Sequence, residues 1–239
     1  MQDAHIVLFP IPGMTMEGAI FATEKIIPDQ KLLKNLRPGA MIILGKADER
    51  LKSAASDLGI NLREYESDHE LMLLRAPAIV EAAIRILIEN TRITLHASPI
   101  CVVGFGNIGS VLARTLVAMG AKVTVAARNP VQRAMAYTLG ADSMHTDDLL
   151  ARARDFPIIV STVTAPLIDQ RLIDSLSGDT LLVDLSAPPG SIDFSHAKKC
   201  GISALWARAL GRRAPVTVGA SQWRGIQKII TSDLWEEQS

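Results

Sequence analysis

The chain has 239 residues, with 25 Lys+Arg against 25 Asp+Glu and a hydrophobic share of 48%, enough for one substantial core or two small ones. A formal net charge of zero removes the basic footprint with which a nucleic-acid binder neutralises phosphates. No apolar run reaches the roughly 20 residues that span a bilayer, and the opening MQDAHIVLFP lacks the basic-then-apolar order of a secretory signal. A cytoplasmic globular protein is expected, with neither nucleic acid nor membrane as partner. Cys101 and Cys200 stand in no C-x-x-C or ligand-like spacing, so no disulfide framework and no metal site are expected, and both read as small core residues. In chain order, HIVLF (5–9) and MIIL (41–44) read as strands, the second after the turn Pro38-Gly39. A helix over 48–58 stops at Gly59, INLRE returns as a strand, and AIVEAAIRILIE (78–89) carries apolar residues at helical spacing.

From Pro99 onward nearly every boundary carries punctuation. Strand 100–103, helix 107–119 closed by Gly120, strand 122–126 and helix 130–139 closed by Gly140 follow one another directly. A short helix after Asp148, strand 158–161, a helix near 170–176, strand 180–185, a helix at 195–200, strand 203–205 and a final helix over 218–234 complete the pattern. Short apolar runs alternating with helices predict α/β architecture: a Rossmann-like doubly wound parallel sheet plus a smaller, incomplete α/β N-terminal domain. The expected organisation is a truncated substrate-side domain over 1–95 with a connecting helix at about 77–90, a cofactor domain over 96–216, and a terminal helix over 217–239 packing back on the first domain.

The strongest chemical signal is Gly104-Phe-Gly106-Asn107-Ile108-Gly109, because it follows the apolar strand ICVV at once and opens a helical pattern. The first glycine permits the tight turn, the second lets a pyrophosphate approach the backbone, and the third lets helix pack closely on strand. Free N–H groups at the helix start supply donors and partial positive charge for phosphate. An NAD-specific site places Asp or Glu at the end of the next strand, for the ribose 2′-hydroxyl. Here that strand ends Ala126-Ala127-Arg128-Asn129, and an arginine fork suits a 2′-phosphate instead. NADP is therefore expected in preference to NAD, with Arg128, Asn129 and Arg133 around its phosphate. Thr162, Val163 and Ser186, on loops after later strands, are the remaining candidate cofactor contacts.

These residues together resemble the family of the dipicolinate synthase A-subunit. The resemblance is densest in VVGFGNIGSVLARTLVAMGAKVTVAAR, in LLVDLSAPPGSIDFSHAKKCGI and in HTDDLLARARDFPIIVSTVTAPLI, and weaker in Met16-Glu17-Gly18 and Thr94-Leu95-His96-Ala97-Ser98. It implies two Rossmann-like domains, NADP as cofactor, and oxidation of a dihydrodipicolinate-type ring by hydride transfer, with a second polypeptide as a working partner. The family's Pro-Thr-x-Glu-Gly reads here Pro77-Ala-Ile-Val-Glu81-Ala82, and a lysine of its last loop has become Val216. A noncatalytic NADP-binding subunit or sensor is the alternative.

Hydride transfer needs an acid or base for the accompanying proton. His96, just before the cofactor-domain strand, leads the catalytic candidates, with Ser98 to orient it and Glu81 as a further acid. A small carboxylate substrate needs cations and donors, and Arg208 and Arg212 on the last loop, with Glu17 near the start, are the substrate-side candidates. A short N-terminal sheet leaves an exposed edge, so a homo-oligomer is expected, with Trp223 and Trp235 as contact candidates.

Overall fold

The computed structural model describes residues 4–9, 14–15, 17–20, 22–66 and 68–236, with side chains as far as 232; the side chain of Trp235 and the backbone of Met16 lie outside the described residues. The chain divides into two compact units, Met1–Leu74 with Gly219–Ser239, and Arg75–Val218.

The first unit is a three-stranded parallel sheet in the order β1 (Ile6–Leu8), β2 (Met41–Leu44), β3 (Asn61–Glu64). Its connections are α1 (Gln30–Leu33) and α2 (Glu49–Asp57), capped by Asp29 and Asp48, whose carboxylates accept from Leu32 N and Leu51 N at 2.9 and 2.8 Å. β2 is buried along its whole length, and its alternating side chains serve two cores. Ile42 and Leu44 meet Leu33, Leu51 and Ala55 of the helices, whereas Met41 and Ile43 meet Tyr65, Leu71 and Ile226. Leu71 belongs to α3 (His69–Asn90), which starts nine residues before the predicted Ala78. A proline normally stops a helix. Here Pro77 lies inside α3, whose true start is set by Asp68 accepting from Leu71 N.

The second unit contains six parallel strands: β4 (Pro99–Val103), β5 (Lys122–Ala126), β6 (Asp142–Met144), β7 (Ile158–Ser161), β8 (Leu181–Asp184) and β9 (Ser203–Trp206). Between them run α4 (Asn107–Ala118), α5 (Pro130–Thr138), α6 (Leu149–Arg152), α7 (Gln170–Asp174) and α8 (Phe194–Lys199), and α9 (Pro215–Glu236) follows the last strand. Alternate residues of β4 face opposite layers: Ile100 and Val102 pack with Leu112 and Leu116, Cys101 and Val103 with Leu149, Leu172 and Ala197. Helices thus cover both faces, which is why β4, β7 and β8 read as unbroken apolar runs. Of the predicted elements in this unit all are present; β6, three residues long, was not expected.

The two thiols differ. Cys101 is buried, as expected, but Cys200 is exposed, because it caps the C-terminus of α8 rather than filling a strand. Burial pushes the Cys101 thiol from its ordinary 9.0 up to about 12. The folded protein therefore holds a proton that the unfolded chain releases. Stability from this group is complete below the unfolded value and declines as pH rises toward 12, with a slope of at most about 1.4 kcal/mol per pH unit. Urea unfolding between pH 8 and 11 should show a shallower alkaline decline for Cys101→Ala than for the parent chain.

Candidate dinucleotide site

The six-stranded sheet has the order β6-β5-β4-β7-β8-β9. Chain direction through the sheet reverses between β4 and β7, so the loops leaving these two strands diverge and open a crevice at their carboxyl ends, where open α/β sheets bind ligands. The glycine turn leaves β4 and the Thr162-Val163 loop leaves β7 at this point.

The turn is shaped by close packing. Gly104 has φ +94° and donates to Ala126 O at 2.9 Å. A Cβ there would lie 2.6 Å from both Thr162 Oγ1 and Val163 Cγ1. At Gly109 a Cβ would lie 2.3 Å from the Gly104 carbonyl oxygen and 2.9 Å from Thr162 Oγ1. Gly106 differs: no described atom lies within 4 Å of a Cβ built on it, and its φ of −85° is open to any residue. Two glycines are therefore demanded by the protein's own atoms, whereas the third leaves a space that the protein does not fill. Gly106 is also the N-cap of α4 and offers no side-chain acceptor, so the N–H groups of the following turn, beginning with Asn107 and Ile108, lack the usual capping oxygen. An open floor beneath free helix-start donors fits a pyrophosphate.

Thr162 holds the turn from the other side. Its N–H and its Oγ1 both donate to Val103 O, at 2.9 and 3.0 Å. Thr162 and Val163 are thus the underside of the glycine turn. Beyond β5, Arg128 is exposed, and Asn129 caps α5 by accepting from Val131 N at 2.8 Å. Arg133 is engaged: its Nη1 donates to the carbonyls of Ala127 and Arg128 at 2.8 and 2.7 Å. It braces the loop carrying Arg128.

The loop after β8 is held by Asp184. Asp184 is fully buried; its Oδ1 accepts from Ser186 N at 2.8 Å and its Oδ2 from Ser191 N at 2.6 Å and Ser191 Oγ at 3.1 Å. Ser186 is buried and its hydroxyl turns to Ala187 O at 3.4 Å, while its carbonyl accepts from Trp206 Nε1 at 3.0 Å. It thereby joins two loops. Trp206 stacks on Phe194 at 5.4 Å, and the Arg208 guanidinium lies 5.3 Å over its ring. Farther along the same loop, Arg212 is exposed and Arg213 pairs with Glu81 of α3. Glu81, Arg208 and Arg212 therefore belong to structure following the carboxyl end of β9 or paired with it.

His96 and Ser98 do not join them. Both precede β4, at the amino-terminal edge of the sheet, and the five residues of β4 put roughly 16 Å between that edge and the glycine turn. His96 packs against Gly120, with Nδ1 3.2 Å from Met119 O, and buried Ser98 donates to Thr94 O at 2.5 Å. His96 thus sits against the α4–β5 corner and Ser98 ties back to the segment before β4, neither of them beside the glycine turn. Glu17 lies in the first unit, exposed and 2.7 Å from Lys25, a hydrogen-bonded ammonium that holds its carboxyl below the ordinary range.

Strand order and glycine turn define a protein of the dinucleotide-binding Rossmann class. Residues 86–187 match the NAD binding domain of the D-isomer specific 2-hydroxyacid dehydrogenases, and residues 1–66 match the N-terminal domain of the dipicolinate synthase A-subunit. The A-subunit of dipicolinate synthase from Bacillus subtilis (strain 168) is 30% identical over 240 residues, which are 99% of this chain and 81% of that protein. Crystal structures of the A-subunits from Bacillus halodurans and Bacillus subtilis, 25% and 28% identical, both align with TM-score 0.89, over 95% and 98% of this chain and 80% of each of theirs. The chain belongs to this family, that of the dipicolinate synthase A-subunit. Among the described residues no helix is long and apolar enough to cross a membrane.

The unequal glycines make a direct test. Gly106→Ala should leave the melting temperature unchanged yet weaken nicotinamide dinucleotide binding at least about tenfold, because the methyl fills the ligand's space. Gly109→Ala should lower the melting temperature by several degrees without any ligand present, since helix and strand must part.

Proposed function

We propose that this chain is an NADP-dependent oxidoreductase that oxidises a dihydrodipicolinate-type ring, or a related small carboxylate, by hydride transfer. The observation that carries the cofactor reading is the end of β5: no acid stands there for a 2′-hydroxyl, and exposed Arg128 sits on a loop that Arg133 props from behind. Gly106 and the α4 donors would hold the pyrophosphate, with Thr162 and Val163 shaping the turn beneath it. When bound, the nicotinamide supplies the hydride acceptor.

The chain's own residues then have three tasks. Arg208, held over the Trp206 ring, and Arg212 offer guanidinium forks to substrate carboxylates. Glu81, a carboxylate beside Arg213, is the group available to take up the proton released as the ring is oxidised. Asp184 fixes the loop between β8 and α8, so that these parts meet a preorganised wall. Placement of His96 and Ser98 at the far edge of the sheet favours a second reading, a noncatalytic NADP-binding protein, and a partner polypeptide belongs in any assay that compares the two.

Fluorescence titration should give tighter binding of NADPH than of NADH. Arg128→Ala should weaken NADPH roughly 10- to 100-fold, as expected for a lost charge-assisted contact, and leave NADH unchanged; a parent chain that prefers NADH removes the NADP assignment. In a turnover assay with dihydrodipicolinate-type and related imino and hydroxy acids, Glu81→Gln should lower kcat by about 10²-fold or more. Tight NADPH binding without turnover, with the second polypeptide present, establishes the noncatalytic reading instead.

A further inference from the structure

Asp174, His196 and Cys200 converge on a point of the second unit that none of the chemistry above uses. Asp174 is the last residue of α7. His196 and Cys200 are four residues apart across the last turn of α8, and so share a face. His196 Nε2 lies 2.7 Å from Asp174 Oδ1, Cys200 Sγ lies 3.4 Å from His196 Nε2, and Cys200 Sγ lies 3.5 Å from Asp174 Oδ1. All three ligand atoms lie within 4.8 Å of one another.

These spacings match a metal's requirements. With zinc bonds of about 2.3 Å to sulfur and about 2.0 to 2.1 Å to nitrogen and oxygen, donors at tetrahedral corners stand about 3.3 to 3.6 Å apart. Both distances from the sulfur, 3.4 and 3.5 Å, already fall there. The nitrogen–oxygen edge, 2.7 Å, is a hydrogen bond and must open by only about half an ångström. The frame is fixed independently at the other end of both helices. Asp193, the N-cap of α8, accepts from Ser195 Oγ and His196 N at 2.7 and 2.9 Å and from Gln170 Nε2, in the first turn of α7, at 3.3 Å. Sulfur, imidazole and carboxylate together suit a borderline-soft divalent ion, and not calcium or magnesium, which take oxygen ligands.

We propose that Asp174, His196 and Cys200 bind a zinc-type divalent cation with solvent as the fourth ligand. On binding, Cys200 gives up its thiol proton to solvent, and His196 binds as the neutral imidazole, with Nε2 on the ion and its proton on Nδ1. Because α7 leads into β8 and α8 into β9, the ligands stand at the amino-terminal edge of the sheet, opposite the glycine turn. The ion therefore ties α7 to α8 and takes no part in hydride chemistry. The spacing H-x-x-x-C at 196–200 was the only trace in the sequence, since the aspartate lies 22 residues away.

Cobalt(II) titration of the chelator-treated full chain provides the test. A sulfur-to-cobalt absorption should grow to one equivalent, vanish in Cys200→Ser, persist in Cys101→Ser, weaken about tenfold or more in His196→Ala, and be displaced by zinc. Zinc should also slow alkylation of Cys200 about tenfold in the parent chain, read by mass spectrometry, and leave the NADPH affinity unchanged. No cobalt absorption, or a band that survives Cys200→Ser, overturns the site. The alkylation arm uses only the parent chain, so poor folding of a variant does not shield the proposal.

Discussion

The dinucleotide-binding unit depends on one close approach, between the Cα of Gly109 and the carbonyl of Gly104. With 2.3 Å between that oxygen and a hypothetical Cβ on residue 109, α4 can lie against β4 only if Gly109 has no side chain, while Gly104 must lack one to clear Thr162 and Val163. That contact fixes the direction in which α4 leaves the sheet, and with it the direction of the unsatisfied donors at the helix start. Thr162 completes the constraint by bonding twice to the last carbonyl of β4. The site is therefore a by-product of packing between two adjacent parallel strands, and its donors need no separate scaffold.

Electrostatics are distributed rather than summed. The formal charge of zero conceals guanidinium groups gathered after β5 and β9, and their neighbours sort them by task. Arg133 gives its donors to backbone carbonyls, Arg213 to Glu81, and Arg208 lies over an indole. Arg128 and Arg212 are left exposed to solvent. An arginine that braces and an arginine that binds look alike in a sequence, and only the partners distinguish them.

Much of the second unit was readable because each of its boundaries obeys local chemistry: Gly120 and Gly140 take positive φ after α4 and α5, and doubly covered strands are uninterrupted runs of Ile, Leu and Val. β6 (DSM) and α1 (QKLL) were missed because, unlike the equally short β2 or β7, neither is an unbroken apolar run. Pro77 hid the first two turns of α3, because the rule that proline ends a helix outweighs a capping aspartate nine residues upstream. His96 was read from its place just before β4, and a residue before a strand lies at the opposite end of that strand from the turn that follows it. Asp184 was not legible as an anchor: between apolar Val183 and Leu185 it stands alone in the sequence, and only its burial with three donors makes it hold the whole loop.

Trp206 has an optical consequence. Its ring is stacked on Phe194, its Nε1 is tied to the Ser186 carbonyl, and it closes the last strand at the carboxyl edge where the dinucleotide crevice also opens. The indole is only partly screened from solvent, and indole emission responds to such exposure. Trp206 thus makes the loop after β8, to which it is tied, the part of the sheet's carboxyl edge that carries a native fluorophore.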